Sequence, residues 1–360
     1  MLIGPQPSTG KVLSRNPSKR MEWVDYARAI AIILVVYRHT MVGLQRSAQE
    51  VPSFLYNIQE FLVNVRMPVF FVLSGIFLGR SIINRPGMEI FRKKVSTLLY
   101  PYLLWTIILI SMQIFLSDLT NSKRTFEDYK YIITQPRELD HMWYLLALFN
   151  TSALLILVSK WMVKHPVLHL ALAALLHFSH IFVYEYSLVS DILYYYVFLA
   201  VGVHISGLVL RYDQVGNRFI ARALLVALPV FIAGQLFWFH NIDENYAPLV
   251  TAYLLPFLII ILVACFVFYC VCKLLYNSGR AKWLNTVGKS SLHIYILHIL
   301  VISSFRILCL KVLGIDNIYL LIGGSLVLGI GLPVVIYRLT KTWTPLQYFF
   351  SLEKPKTKHA

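Results

Sequence analysis

The residues best equipped for chemistry lie in the first apolar segment, Trp23-Val24-Asp25-Tyr26-Ala27-Arg28, then Ala29 to Tyr37, then Arg38-His39. Arg28 and His39 are 11 positions apart, which in an α-helix is only about 20° beyond three full turns. The two side chains therefore share one face, with roughly 16 Å of axial rise between them. Asp25, three residues before Arg28, falls on the same stripe and can pair with it. An imidazole with an ordinary pKa near ~6.5 serves as base or nucleophile at neutral pH, and a guanidinium is a donor fork for carboxylates and phosphates. Plainer roles compete with these. Arg28 can snorkel to lipid headgroups from a helix start, and Asp25 in a first turn is stabilised by the helix dipole. Arg38, about 100° round the helix from His39, reads as an interfacial or structural charge.

Two later segments carry polar groups into apolar runs. The second contains Arg66-Met67-Pro68-Val69-Phe70-Phe71-Val72-Leu73-Ser74-Gly75, and its Arg66 lies about as deep as His39. A guanidinium there can hold a polar substrate or developing negative charge. Pro68 reads as a helix N-terminal device and Ser74-Gly75 as close helix packing. Near the C-terminus, Ser291, Tyr295 and His298 recur at i, i+4 and i+7, one stripe of a helix. Ionisable groups within apolar spans normally face a polar cavity or a partner, so Tyr295 and His298 are read as cavity lining. Cys265, Cys270, Cys272 and Cys309 all sit in apolar stretches without metal-ligand spacing, which points to packing residues and to no metal site.

The elements that must hold these groups are membrane spans. Of 360 residues, 58% are hydrophobic and 14% charged, with a mean hydropathy of +0.65, too apolar for burial in one aqueous core. A span needs about 20 apolar residues. On that ruler ten fit: Val24 to Gln45, Phe61 to Asn84, Val95 to Ser117, His141 to Ser159, His165 to Val183, Ser190 to Leu210, Phe219 to Trp238, Leu249 to Cys272, Ser290 to Leu310 and Ile318 to Tyr337. The expected fold is an all-α polytopic bundle over 23–340, flanked by a disordered tail over 1–22 and a basic tail over 341–360.

Charge orients the bundle, because Lys and Arg in short loops stay cytoplasmic. The loops and tails on the side of the two termini hold 23 Lys and Arg, Arg92, Lys93 and Lys94 among them, against six on the other side: Arg46, Lys123, Arg124, Lys130, Arg137 and Lys311. Both termini are therefore expected in the cytoplasm. The overall excess, 33 Lys and Arg over 17 Asp and Glu, lies in short loops and not on one soluble face, which argues against a nucleic-acid partner. Ser117 to Asp140 forms the longest external loop, either simply solvated or a rim that meets a polar substrate.

Taken together, Trp23 to Arg28 with His39, Arg66 to Gly75, His141-Met142-Trp143-Tyr144-Leu145 and Gly288 to His298 resemble, in order, the signature segments of the integral-membrane acyltransferase family 3, which includes fucose 4-O-acetylase-like and exopolysaccharide O-acetyltransferases. The resemblance spans Trp23 to about Tyr337. It implies transfer of an acyl group, usually acetyl from acetyl-CoA, to a carbohydrate hydroxyl, in a bacterial inner membrane, with no bound cofactor. It also implies polysaccharide assembly machinery as a partner besides acyl-CoA, a glycan or lipid-linked glycan, and membrane lipids. The family's essential first-helix Arg and His map onto Arg28 and His39. The family also tends to carry Arg-x-x-Arg before a Pro-Tyr pair. Here Pro101-Tyr102 is present, but Lys94 and Thr97 stand nearest that register, after Arg92 and Lys93.

These residues suggest a division of labour. Arg28, Arg92, Lys93 and Lys94 would hold the phosphates of acyl-CoA at the cytoplasmic face, and His39 would activate the acceptor hydroxyl or take the acyl group itself. Arg66, Tyr295 or His298 would stabilise the oxyanion. A secondary transporter or flippase of a polar or glycan substrate is the rival, although no internal repeat of the kind many transporters carry is visible. A structural scaffold gives no reason for Arg28 and His39 to share a stripe.

Overall fold

A computed structural model describes residues 21–117, 123–162, 164–211, 215–241 and 253–353. Most of the expected N-terminal tail and residues 354–360 of the basic tail lie outside the described residues. Every regular element described is helical. The helices are α1 (Trp23–Gln45), α2 (Ser53–Phe61), α3 (Val63–Asn84), α4 (Gly87–Lys94), α5 (Tyr100–Phe115), α6 (Trp143–Met162) and α7 (Pro166–Ser179). They continue as α8 (Ser187–Arg211), α9 (Asn217–Asn241), α10 (Leu254–Asn277), α11 (Trp283–Lys289), α12 (Ser291–Ile307), α13 (Ile318–Thr342) and α14 (Thr344–Gln347). Among the described residues nine stretches are long and apolar enough to cross a membrane, and the tenth expected span is the shorter apolar stretch Trp143–Ser159 of α6. The chain is a multi-pass membrane protein.

The α1 helix occupies the middle of the bundle, packed against α2, α3, α10, α11, α12 and α13. Its small residues Ala27, Ala29 and Ala31 are buried and let neighbours approach, since helix association in lipid depends on close packing. The tightest contact is with α11. A methyl group at Gly288 would overlap the backbone of Asp25, so only glycine allows the two chains to meet there. Gly75 of α3 and Gly202 of α8 play the same part for each other.

The second and third spans start differently from the sequence reading. The second span is preceded by a separate helix, α2, and α3 begins at Val63, so Pro68 lies inside α3. The third begins earlier, at Gly87. There α4 passes through a π-helical stretch, Val95–Leu99, into α5. Pro101 has no N–H to donate to Thr97, so the hydrogen-bond ladder slips at this point.

Residues past α13 turn back onto the bundle. Phe350 is buried and stacks on His293 with ring centroids 4.0 Å apart. Trp105 donates its indole N–H to the Phe349 carbonyl at 2.6 Å.

Candidate active site

At the N-terminal end of α1 the sequence stripe is realised. Asp25 is buried and lies 3.9 Å from the Arg28 guanidinium, which also sits 5.2 Å from the centre of the Phe77 ring. The basic turn ending α4 comes to this end, but its members differ. Lys94 is half-buried and within electrostatic reach of Arg28. Arg92 and Lys93 are exposed, with Lys93 3.9 Å from Glu353. Arg28 and Lys94 therefore bring two cationic side chains close together at this end of α1.

Three turns along α1, His39 stands among other imidazoles. Its ring centroid is 5.1 Å from that of His298 and 6.1 Å from that of His141, and the latter two are 4.9 Å apart. His298 is fully buried, and its Nδ1 lies 2.9 and 2.8 Å from the carbonyl oxygens of Ile294 and Tyr295. A carbonyl only accepts, so Nδ1 carries the proton and Nε2 presents a lone pair. That Nε2 has no hydrogen-bond partner in the structure. His141 repeats the arrangement in mirror form: Nε2 faces the Ile296 carbonyl at 3.4 Å, leaving Nδ1 buried and without a hydrogen-bond partner. Leaving a buried acceptor unmade costs about 1–3 kcal/mol, and such sites call for an explanation.

Tyr295 supports the cluster by donating its hydroxyl to the His141 carbonyl. Tyr144 packs on Tyr295 with centroids 5.2 Å apart and lies within electrostatic reach of Arg28. Phenols, whose hydroxyls are polar, therefore occupy the space between the two ends. Arg66 is buried at 4% exposure, close enough to His39 to act on it electrostatically. Arg38 turns away, its guanidinium 3.0 Å from Gln59 and 3.9 Å from Glu60, and ties α1 to α2.

His39 also lines a cavity of about 150 Å³ that opens at the C-terminal end of α1, with Arg46, Gln113, Asp140, Ser303 and Arg306 among its walls. A larger cavity, about 840 Å³, is lined almost wholly by apolar side chains such as Val69, Ile76, Leu262 and Phe268, which have no proton to give or take. The segment before α6 is pinned in place. Arg137 is 2.6 Å from the buried Asp191 of α8 and 4.2 Å from the centre of the Trp143 ring, while Tyr102 donates to the Ile132 carbonyl at 2.6 Å. The described part of the expected external loop is therefore docked on the bundle. No group of three or more His, Cys, Asp or Glu among the described residues is arranged to hold a metal ion.

The structure thus brings together Asp25, Arg28 and Lys94 at one end, and His39, Arg66, Tyr295 and His298 at the other. Sequence reasoning missed His141 as a site residue, although it opens a motif segment. The available signal was a histidine two residues before a helix start, where a side chain can reach inward.

The chain is thus a multi-pass helical bundle with a half-buried histidine toward one end of α1 and a basic cluster at the other. The family model described as an acyltransferase domain matches residues 21–338, so the chain belongs to acyltransferase family 3. No curated protein and no solved structure matches the chain.

Proposed function

We propose that the protein moves an acetyl or related acyl group from acyl-CoA to a hydroxyl of a cell-surface or lipid-linked carbohydrate, in the inner membrane of a bacterium. The observation that carries this reading is the placement of His39. It lines a cavity at one end of α1 whose wall also holds Arg46, Gln113, Asp140 and Arg306, while the Arg28 and Lys94 cluster stands at the other end of the same helix.

Acyl-CoA approaches from the cytoplasm, and its phosphates rest on Arg28 and Lys94 with Arg92 and Lys93 outside them. The thioester reaches His39 past Tyr144 and Tyr295. The imidazole takes the proton of the acceptor hydroxyl as its oxygen attacks the thioester carbonyl, and Arg66 faces the developing oxyanion. The C–S bond breaks, and the CoA sulfur leaves with the proton that His39 gives back. Products are the O-acyl sugar and free CoA. The ring of His298 lies 5.1 Å from that of His39, centroid to centroid, and its unpartnered Nε2 lone pair can take an N–H of His39 once substrate is bound, orienting the base as a carboxylate does in hydrolytic triads.

The test is purified protein in nanodiscs with labelled acetyl-CoA and glycan acceptors. Free CoA and an alkali-labile acetyl ester are expected together. Sealed vesicles that take up a glycan with acetyl-CoA left intact would support the transporter reading instead. Everted and right-side-out vesicles then report the side on which the acceptor is modified.

A further inference from the structure

Among the described residues, the wall of the cavity above His39 holds two arginines and one acid. Its acid, Asp140, is engaged: Gln113 donates to its carboxylate at 3.0 Å and Arg124 lies 3.7 Å away. Arg124 also donates to the Gln113 side-chain oxygen at 3.2 Å and to the Glu138 carbonyl. Asp140 keeps this position with a left-handed backbone, φ 63°.

The two arginines of the same cavity are placed differently. Arg306, in the last turn of α12, is buried at 7% exposure. Its guanidinium lies over Gly43 of α1, where any side chain would collide with it. Arg46 follows the C-terminus of α1 and is exposed. Among the described residues, no carboxylate lies within ion-pair distance of either. The helix ends beneath them offer only about half a negative charge each, less than the two full positive charges above. A cation held inside a membrane bundle without a counter-charge is expensive and marks a site. The volume, about 150 Å³, is small beside the ~300–1,000 Å³ of typical ligand clefts and suits one sugar residue better than a run of them.

Building on the acyl-transfer reading, we propose that this cavity is the acceptor site and that it takes a sugar bearing an anionic group. Arg306 and Arg46 clasp the anion, which is the carboxylate of an acidic sugar or a phosphodiester on the sugar. A hydroxyl of the same residue then faces His39. The bond made is from that hydroxyl oxygen to the acyl carbon and the bond broken is the thioester C–S, with the proton passing through His39 to the CoA sulfur.

Purified protein in nanodiscs tests this with labelled acetyl-CoA and four acceptors: trigalacturonate, its methyl ester, maltotriose and a glucosylated glycerol phosphate oligomer. The expected result is a kcat/KM at least about tenfold higher for an anionic acceptor than for its neutral counterpart. Arg306→Gln and Arg46→Gln should each shrink that ratio severalfold or more, and Arg306→Lys should retain most of it. Preference for trigalacturonate identifies a carboxylate, and preference for the phosphodiester oligomer identifies a phosphate. If Arg306→Gln fails to fold, the acid-to-ester ratio of the unmodified protein and the surface variant Arg46→Gln still decide the matter. Equal use of acid and methyl ester, or a ratio indifferent to both arginine changes, overturns the inference. So does steady release of CoA by water with none of the four acceptors acylated, a result that leaves acyl transfer standing. Absence of CoA release under every condition removes the acyl-transfer reading, and this one with it.

Discussion

The two ends of α1 are built by different means. At the Arg28 end the key groups come from successive turns of one helix and the basic turn of α4, and charge meets charge: Asp25 with Arg28, and Glu353 with Lys93. At the His39 end the groups arrive from α1, α12 and the segment before α6, and the meeting is between imidazoles of like kind, two with buried nitrogens that have no hydrogen-bond partner. The first arrangement suits holding a charged, hydrated ligand. The second suits moving a proton, because a lone pair kept from water and from other donors is ready for one. On the proposed function, binding and chemistry are separated along a single helix.

That comparison is most easily broken at His39. His39→Ala should leave a folded, inserted protein whose kcat falls by about 10²–10⁴, the usual contribution of a catalytic base. CoA release by the purified variant measures this, and near-normal turnover would refute the assignment. The opposite end should respond in KM. Arg28→Gln removes a charge-assisted contact of about 1.5–3 kcal/mol and should raise the KM for acyl-CoA roughly ten- to a hundredfold, with Arg28→Lys recovering part of it. An equal loss for an acyl donor lacking the CoA phosphates would show that Arg28 does not read phosphate. The smallest effect belongs to Tyr295→Phe. Losing its hydrogen bond to the His141 carbonyl costs about 1 kcal/mol, and kcat should drop a fewfold with little change in donor KM. A change confined to donor KM would move Tyr295 from the imidazole cluster to the donor path.

How much of this was legible beforehand follows from the same contrast. The Asp25, Arg28 and His39 stripe is a property of one helix, so a ruler of 3.6 residues per turn finds it. The Tyr295 and His298 stripe is legible for the same reason. The spans were legible because lipid demands long apolar runs. The rest depends on which helices meet. Nothing in the spacing of His141 shows that it joins His39 and His298, and nothing around Arg306 shows that it crosses to Gly43, since both are consequences of packing between distant segments. Pro68 was read as a helix start because proline favours that position, whereas α3 simply begins a turn earlier, at Val63.

The return of the chain past α13 has a practical corollary. Phe350 lies wedged between Trp105 and His293, and Ser351 meets Ser96 in the π-helical stretch beside the basic turn. Shortening the protein at Thr342 would therefore uncover an aromatic seam and loosen the turn that carries Lys94. An affinity handle belongs after Glu353, and expression trials that trim this stretch as dispensable would be handling a different molecule.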